Sequence, residues 1–417
     1  MKNKKIKSID LFAGCGGLME GFEQSGKYET LAAVEWEKAP CRNLRKRLKD
    51  KWKYKNADDM VLQFDIQRAD ELFSGWSDDE SYGSSAGLDA LIGENGKIDV
   101  IIGGPPCQAY SIAGRVRDKH GMKNDYRNYL FESYLKVVKR YNPKIFVFEN
   151  VPGILSAQPG DRPIIEIIQE SFDTAGYYTL PDLSRAIIDF TEYGVPQNRK
   201  RIIIVGLSKE YFGEDTCAEM AEKFYDNYLP KYKVKSKMTV WEAIGDLPKL
   251  YPLEKEEKYE GKRISHSVPE PLVANHIARW QSQRDIKVFK LLAEDIESGR
   301  NEYISTEALK GLYTKVTGKT SNVHKYHVIR WDGPSNLIPA HLYKDGLRHI
   351  HPDSAQCRTL TVREAARLQT FDDDYIFYGS NMEAYKMIGN AVPPKFAKCC
   401  AKAVYDLLKE YDDKGEL

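Results

Sequence analysis

Cys107 stands in the run GGPPCQAYS, residues 103 to 111, directly after the apolar residues Val100, Ile101 and Ile102. A cysteine where a buried strand gives way to a loop is placed to act as a nucleophile. Gly103 and Gly104 allow close backbone approach to a ligand, and Pro105 and Pro106 stiffen the turn that aims the sulfur. A thiol with an ordinary pKa of ~8.5 is a weak nucleophile, so the chemistry needs partners elsewhere in the chain. The first is Glu149, which follows the apolar run Ile145 to Phe148 and opens ENVPG. A desolvated carboxyl at the end of a buried strand can keep its proton and donate a hydrogen bond. The others are Arg199 and Arg201 in YGVPQNRKRIIIVG, which share a facing as an apolar strand begins and suit an anion or the edge of a base.

A second constellation lies near the start of the chain. Ile6 to Phe12 reads as a buried strand, and AGCGGLMEGF opens a helix whose Gly14, Gly16 and Gly17 bring backbone amides close to a ligand. The third glycine of a dinucleotide fingerprint would fall at Met19, which disfavours a pyrophosphate cradle. The next strand, Leu31 to Val34, ends in Glu35 and Trp36. An acid roughly twenty residues beyond such glycines suits ribose hydroxyls, and an indole suits an adenine face. Asp65, after Phe64 on a third short strand, is a candidate for the adenine amino group. An adenosine-bearing cofactor fits all three.

All these residues sit where expected strands end. Strand, helix and strand, repeated up to Lys209, predict an α/β fold with a doubly wound, mostly parallel sheet of Rossmann-like type. Residues 1–209 are expected to form the first part of a cofactor-binding domain. Within it, 67 to 97 reads as an insertion rich in Ser, Gly, Asp and Glu, and 109 to 124 as a lid over substrate. After Lys209 the composition shifts: 210–260 hold a charged helix, MTVWEAIGDLP and a charged run, and 262–350 mix Lys, Arg, His, Asn and aromatic residues in short segments. So 210–350 is expected to form a second, smaller irregular domain with a nucleic-acid surface. Residues 351–417 are expected to return to the first domain, through a helix capped by Thr361 and Glu364 and a closing helix from Pro394. His349 and His351 lack a cysteine or HxxxH framework, so no metal site is expected.

The 417 residues, 42% apolar, allow a real core in two domains. The apolar runs are only strand-sized, and the basic start MKNKKIK leads into a strand, so neither a membrane segment nor a signal peptide is expected. Seven cysteines without CxxC pairs point to a reducing, cytoplasmic setting. A net charge of +1 decides nothing about nucleic acid, because the local distribution of Lys and Arg matters.

Taken in order, DLFAGCGGL, Glu35-Trp36, GGPPCQAYS, ENVPG, QNRKR, RTLTVREAARLQTF and IGNAVPP resemble the motifs of the S-adenosylmethionine-dependent DNA (cytosine-5)-methyltransferases of prokaryotic type. Asp372 stands where a proline is usual, and the 67–97 insertion is longer than in compact members. The resemblance implies the class I methyltransferase fold, with 210–350 as the target-recognition domain. It implies that Cys107 attacks C6 of a flipped-out cytosine, that Glu149 holds N3 and the amino edge, that Arg201 contacts the base oxygen and that Arg199 supports the site. Phe12, Gly14, Gly16, Leu18, Glu35, Trp36, Asp65, Pro105, Leu130, Asn390 and Val392 would line the pocket for S-adenosylmethionine, which leaves as S-adenosylhomocysteine. Gln108, Ser111 and Gln197 would touch the substrate. The implied partner is double-stranded DNA, with a cognate restriction endonuclease acting on the same site, and the enzyme would work as a monomer. A transfer RNA cytosine-5 methyltransferase is the alternative; the sizeable 210–350 region favours a DNA reader.

Overall fold

The apolar runs become the inner strands of one sheet. In the computed structural model, which describes residues 5–93, 96–106, 129–159, 161–344 and 346–413, the first strands are β1 (Ile6–Leu11), β2 (Tyr28–Glu35) and β3 (Val61–Gln63). A small hairpin, β4 (Trp76–Asp79) and β5 (Gly83–Ser85), precedes β6 (Val100–Gly103) and β7 (Ile145–Asn150). Then come β8 (Tyr177–Tyr178), β9 (Ile187–Asp189) and β10 (Lys200–Ser208), and a second hairpin of β11 (Pro252–Tyr259) and β12 (Lys262–His266). The main sheet has the order β3-β2-β1-β6-β7-β10-β8, with β9 beside β10. Ile101, Ile102, Phe146, Val147, Ile203 and Ile204 are fully buried, as strands covered on both faces require.

The direction of each strand places the chemistry. Pairings from β3 through β2, β1 and β6 to β7 are parallel. The chain winds outward through β2 and β3 on one side of β1 and through β6 and β7 on the other, so a crevice opens at the carboxyl ends where the order reverses. The turns after β1, β2, β3, β6 and β7 all lie on that edge. Strand β10 runs antiparallel to β7, so its amino end, carrying Arg201, reaches the edge where the last residues of β7, Glu149 and Asn150, lie.

Two helices meet closely behind the glycine-rich turn. A Cβ on Gly17 would lie 2.3 Å from the Val392 carbonyl oxygen, and one on Gly21 would lie 2.4 Å from Ala397 Cβ. Their absence lets the closing helix Pro394–Asp413 rest against the first helix Gly17–Gln24. The Tyr28 hydroxyl adds a hydrogen bond of 2.7 Å to the Ala401 carbonyl.

The chain divides into two compact units. The first comprises Met1–Gly194, Arg199–Lys235 and Ala391–Leu417; the second comprises Val195–Asn198 and Ser236–Asn390. The divisions expected at 209/210 and 350/351 are therefore displaced. Residues 210–235 stay with the first unit because the helix Glu214–Lys223 buries Cys217 and Met220, the Cys217 thiol facing the Leu207 carbonyl of β10. Residues 351–390 stay with the second because backbone hydrogen bonds run from His351 to Arg358 and from Leu360 to His349. The second unit is also more regular than its composition suggests. Helices Gln283–Glu297 and Thr306–Thr317, capped by Ser282 and Ser305, pack Phe289, Leu292, Leu309 and Leu312 against Tyr326 and Ile350.

Candidate active site

The turn after β1 is built from unusual backbone. Phe12, Gly14 and Gly16 have φ of +56°, +55° and +83°. Such values come cheaply to glycine but strain phenylalanine, and retained strain of this kind marks functional turns. At Gly16 a Cβ would strike Leu44 at 2.5 Å, whereas the space beside Gly14 is open. Leu18 lies buried in the helix that follows.

Glu35, at the end of β2, ties that turn in place. One carboxylate oxygen accepts from the Gly14 amide at 2.9 Å and the other from the Glu37 amide at 2.8 Å. Burial raises its pKa, and these two amides oppose the rise. Each oxygen keeps a further lone pair, which suits a diol. Trp36 beside it is 49% exposed, a large ring face available to a flat ligand. Asp65 follows β3, its carboxylate accepting from the Gln67 amide at 3.0 Å. The open glycine turn, the strand-end acid and the bare indole together fit an adenosine-bearing cofactor. Leu130, buried, heads the helix Leu130–Tyr141, which Tyr134 pins to the sheet by donating to the Ile101 and Val147 carbonyls at 3.2 Å. Val392 is buried in the first unit, and Asn390 is the exposed last residue of the helix Asn381–Asn390 in the second.

At the other end of the crevice, Arg201 Nε lies 3.0 Å from Glu149 Oε1, each side chain 12% exposed. Gly104 faces this pair: a Cβ there would lie 2.6 Å from the second Glu149 oxygen. The neighbouring Asn150 amide reaches the Pro105 carbonyl at 3.4 Å. The turn that begins GGPP is thus held against the Glu149 carboxylate, which Arg201 pairs. Cys107, Gln108 and Ser111, and the lid expected at 109–124, lie outside the described residues.

The two arginines do not converge on one anchor. Arg199 is 2% exposed and donates to the Ala391 carbonyl at 3.0 Å, so it braces the chain where the closing segment begins. Gln197, expected at the substrate, is fully buried in the second unit. Its amide accepts from Ile338 N and donates to the Leu368 carbonyl and Gln369. With both amide hydrogens and one oxygen lone pair engaged internally, it anchors its segment.

Asp10 was not singled out from the sequence. It lies fully buried on β1, and no hydrogen bond of normal geometry reaches either carboxyl oxygen among the described residues. Burial raises its pKa well above the ordinary range, the Met19 amide opposing and Glu35 adding to the effect. An acid within the apolar run Ile9 to Leu11 was the available signal.

In the second unit the histidines have separate internal partners. His349 Nε2 faces the Leu337 carbonyl at 3.0 Å, and His351 Nδ1 accepts from the Asp353 amide at 3.1 Å. Arg358 and Glu364 form a fully buried bidentate pair at 2.6 and 2.7 Å, and Glu364 and Thr361 complete the expected capping box. This pair welds the segment before the helix Val362–Leu368 to the helix start.

The sequence profile of the C-5 cytosine-specific DNA methylases matches residues 6–406. The type II methyltransferase M.Bpa9945I of Bacillus paralicheniformis is 35% identical over 96% of this chain and 98% of its own length. The type II methyltransferase M1.HphI of Haemophilus parahaemolyticus is 31% identical over 95% of this chain and 86% of its own. Among solved structures, Schizosaccharomyces pombe Dnmt2 methyltransferase covers 98% of this chain at 13% identity with a TM-score of 0.53. A prophage-encoded E. coli protein assigned as a DNA modification methyltransferase covers 97% at 23% identity with a TM-score of 0.61. At these identities the structures speak to the fold: a mostly parallel sheet with flanking helices.

Proposed function

The chain belongs to the C-5 cytosine-specific DNA methylases, and on that premise we propose that it transfers a methyl group from S-adenosylmethionine to C5 of a flipped-out cytosine in a specific duplex sequence. The observation that carries this reading is the Glu149–Arg201 pair, 3.0 Å apart beside Gly104 on the sheet edge. A carboxylate and a guanidinium on one side of a narrow turn complement the amino edge and the carbonyl oxygen of one pyrimidine.

Cys107 adds its thiolate to C6, which makes C5 electron-rich enough to accept the methyl group. Glu149 accepts from the exocyclic amino group and, once protonated, donates to N3, so that negative charge does not build up in the ring. Arg201 donates to the base oxygen and steadies Glu149. A base then removes the C5 proton, the C6–S bond breaks, and the thiolate is regenerated. Gly14, Gly16, Glu35, Trp36 and Asp65 would hold the cofactor, which when bound supplies an electrophilic methyl on a sulfonium. Because C5 and C6 are shielded within a stacked duplex, the target base must leave the helix at a cost of a few kcal/mol.

The second unit is the proposed reader of the target sequence, and the type II relatives support a restriction endonuclease of the same specificity as partner. No helix among the described residues is long and apolar enough to cross a membrane. Methylation of mixed-sequence duplex DNA and of transfer RNA with methyl-labelled cofactor tests the reading. Label is expected in DNA and lost in Cys107→Ser; label confined to RNA, or a fully active Cys107→Ser, overturns it.

A further inference from the structure

The 67–97 insertion is not a loose excursion. Its hairpin is pinched shut at the base, where a Cβ on Gly87 would lie 2.4 Å from the Gly75 amide nitrogen and Gly75 has φ +97°. Its last helix, Gly87–Ile92, is held to the helix Leu130–Tyr141: Asp89 accepts from the Tyr141 hydroxyl at 2.7 Å and pairs with Arg140 at 2.5 Å. What the hairpin covers is Phe64, the residue before Asp65. Trp76 of β4 stacks on the Phe64 ring with centroids 3.8 Å apart and planes at 21°, and Tyr82 meets it edge-on at 5.1 Å.

Arg68 completes the grip. Its backbone amide donates to the Asp65 carbonyl at 3.0 Å, its guanidinium lies 4.7 Å from the Phe64 ring centre, and the same guanidinium donates to Asp79 of the hairpin at 2.6 Å. Phe64 is 1% exposed as a result. The turn Phe64-Asp65-Ile66 is therefore clamped from outside, by residues that belong to the insertion and not to the sheet.

We infer that the β4–β5 hairpin is a positioning device for the adenine end of the cofactor, with Trp76 acting through Phe64 to fix the Asp65 carboxylate. The inference rests on the proposed placement of the cofactor's 6-amino group at Asp65. A short acid at the tip of a three-residue strand has little of its own to hold it; a stacked ring and a charged clamp behind it restrict both its backbone and its reach. Pre-organisation of this kind shows in affinity and in discrimination between ligands, because a displaced acceptor no longer distinguishes a donor from a carbonyl at the same ring position.

Calorimetric titration of the full chain with S-adenosylhomocysteine and with its 6-oxo counterpart, S-inosylhomocysteine, tests this. Trp76→Ala should weaken S-adenosylhomocysteine binding by about tenfold, and the preference over the 6-oxo ligand should shrink toward that of Asp65→Ala. The KM for cofactor should rise in step while kcat falls by no more than about twofold, and Trp76→Phe should restore both affinity and discrimination. Unchanged affinity in Trp76→Ala overturns the inference, as does weaker binding with the 6-amino preference intact. If Trp76→Ala fails to fold, Tyr82→Leu gives the same readout. An Asp65→Ala variant with wild-type affinity and discrimination would instead remove the underlying placement of the cofactor.

Discussion

Replacing either member of the Glu149–Arg201 pair should do measurable damage in two separable ways. At 3.0 Å and an effective dielectric of about 20, unit charges attract by about 5–6 kcal/mol before desolvation is counted. Desolvation offsets most of that, and with each side chain 12% exposed a net coupling of about 1–3 kcal/mol is expected. A urea-denaturation double-mutant cycle with Glu149→Gln, Arg201→Met and the double variant measures it directly. Activity should fall further than stability does. If Glu149 holds the ring as charge develops, Glu149→Gln should lower kcat for methyl transfer by about 10²–10³-fold, or roughly 3–4 kcal/mol. S-adenosylhomocysteine affinity should change by less than about threefold, since the residues proposed to hold its adenosine end, Glu35, Trp36 and Asp65, follow β2 and β3. A coupling below about 0.5 kcal/mol would show that the pair is no more than a surface contact. A Glu149→Gln enzyme within threefold of wild type, by the rate standard used above, would refute the catalytic argument.

Three other outcomes follow from the packing and the buried titrations. Gly21→Ala should lower stability by about 1–3 kcal/mol in a thermal melt, because the new methyl meets Ala397 Cβ at 2.4 Å and the Pro394 carbonyl at 2.5 Å. His266 and His349 are pushed down to about 4 and His351 to about 3, burial being the first cause for each. Their unfolded pKa is near 6.5, so the unfolded chain binds more protons below it and stability drains as pH falls from about 6.5 toward 4. Circular dichroism should show an acid transition in the second unit that moves to lower pH in His351→Gln; a flat stability over that window contradicts the assignment. Asp10 titrates in the opposite sense. Burial raises its pKa, the folded chain holds the proton longer, and stability is lost as pH rises from about 3.8 through the folded value. Asp10→Asn should flatten that loss in denaturation curves taken across pH, and an unchanged slope would count against it.

The sequence carried the strand ends well, because a buried parallel strand is a short run of Val, Ile and Phe broken at once by a polar residue or a glycine. Ile145 to Phe148 leading into Glu149, and Val100 to Ile102 leading into Gly103, needed no knowledge of neighbours. The meeting of Arg201 with Glu149 did depend on a neighbour. It follows from β10 lying antiparallel to β7, a pairing that local pattern does not encode. Gln197 likewise depends on distant neighbours: its burial and its bonds to Ile338 and Leu368, 141 and 171 residues away along the chain, could not be read from its place in a polar motif. The 67–97 segment looked featureless because its order comes from single contacts, Trp76 on Phe64 and Arg68 on Asp79, with no periodicity to announce them. In the second unit, Ser282 and Ser305 cap helices of 15 and 12 residues, but the apolar faces of these helices meet each other and Tyr326, Val328 and Ile350, contacts that local spacing does not announce.

The most direct measurement identifies the atom that receives the methyl group. The full chain is incubated with duplex DNA and S-adenosylmethionine carrying an isotopic methyl, the DNA is digested to nucleosides, and the labelled nucleoside is identified by mass spectrometry. Label in 5-methyldeoxycytidine, its initial rate of formation lowered by about 10²–10³-fold in Glu149→Gln at matched protein, is the expected result. Label on an exocyclic nitrogen of cytosine or adenine would contradict the account.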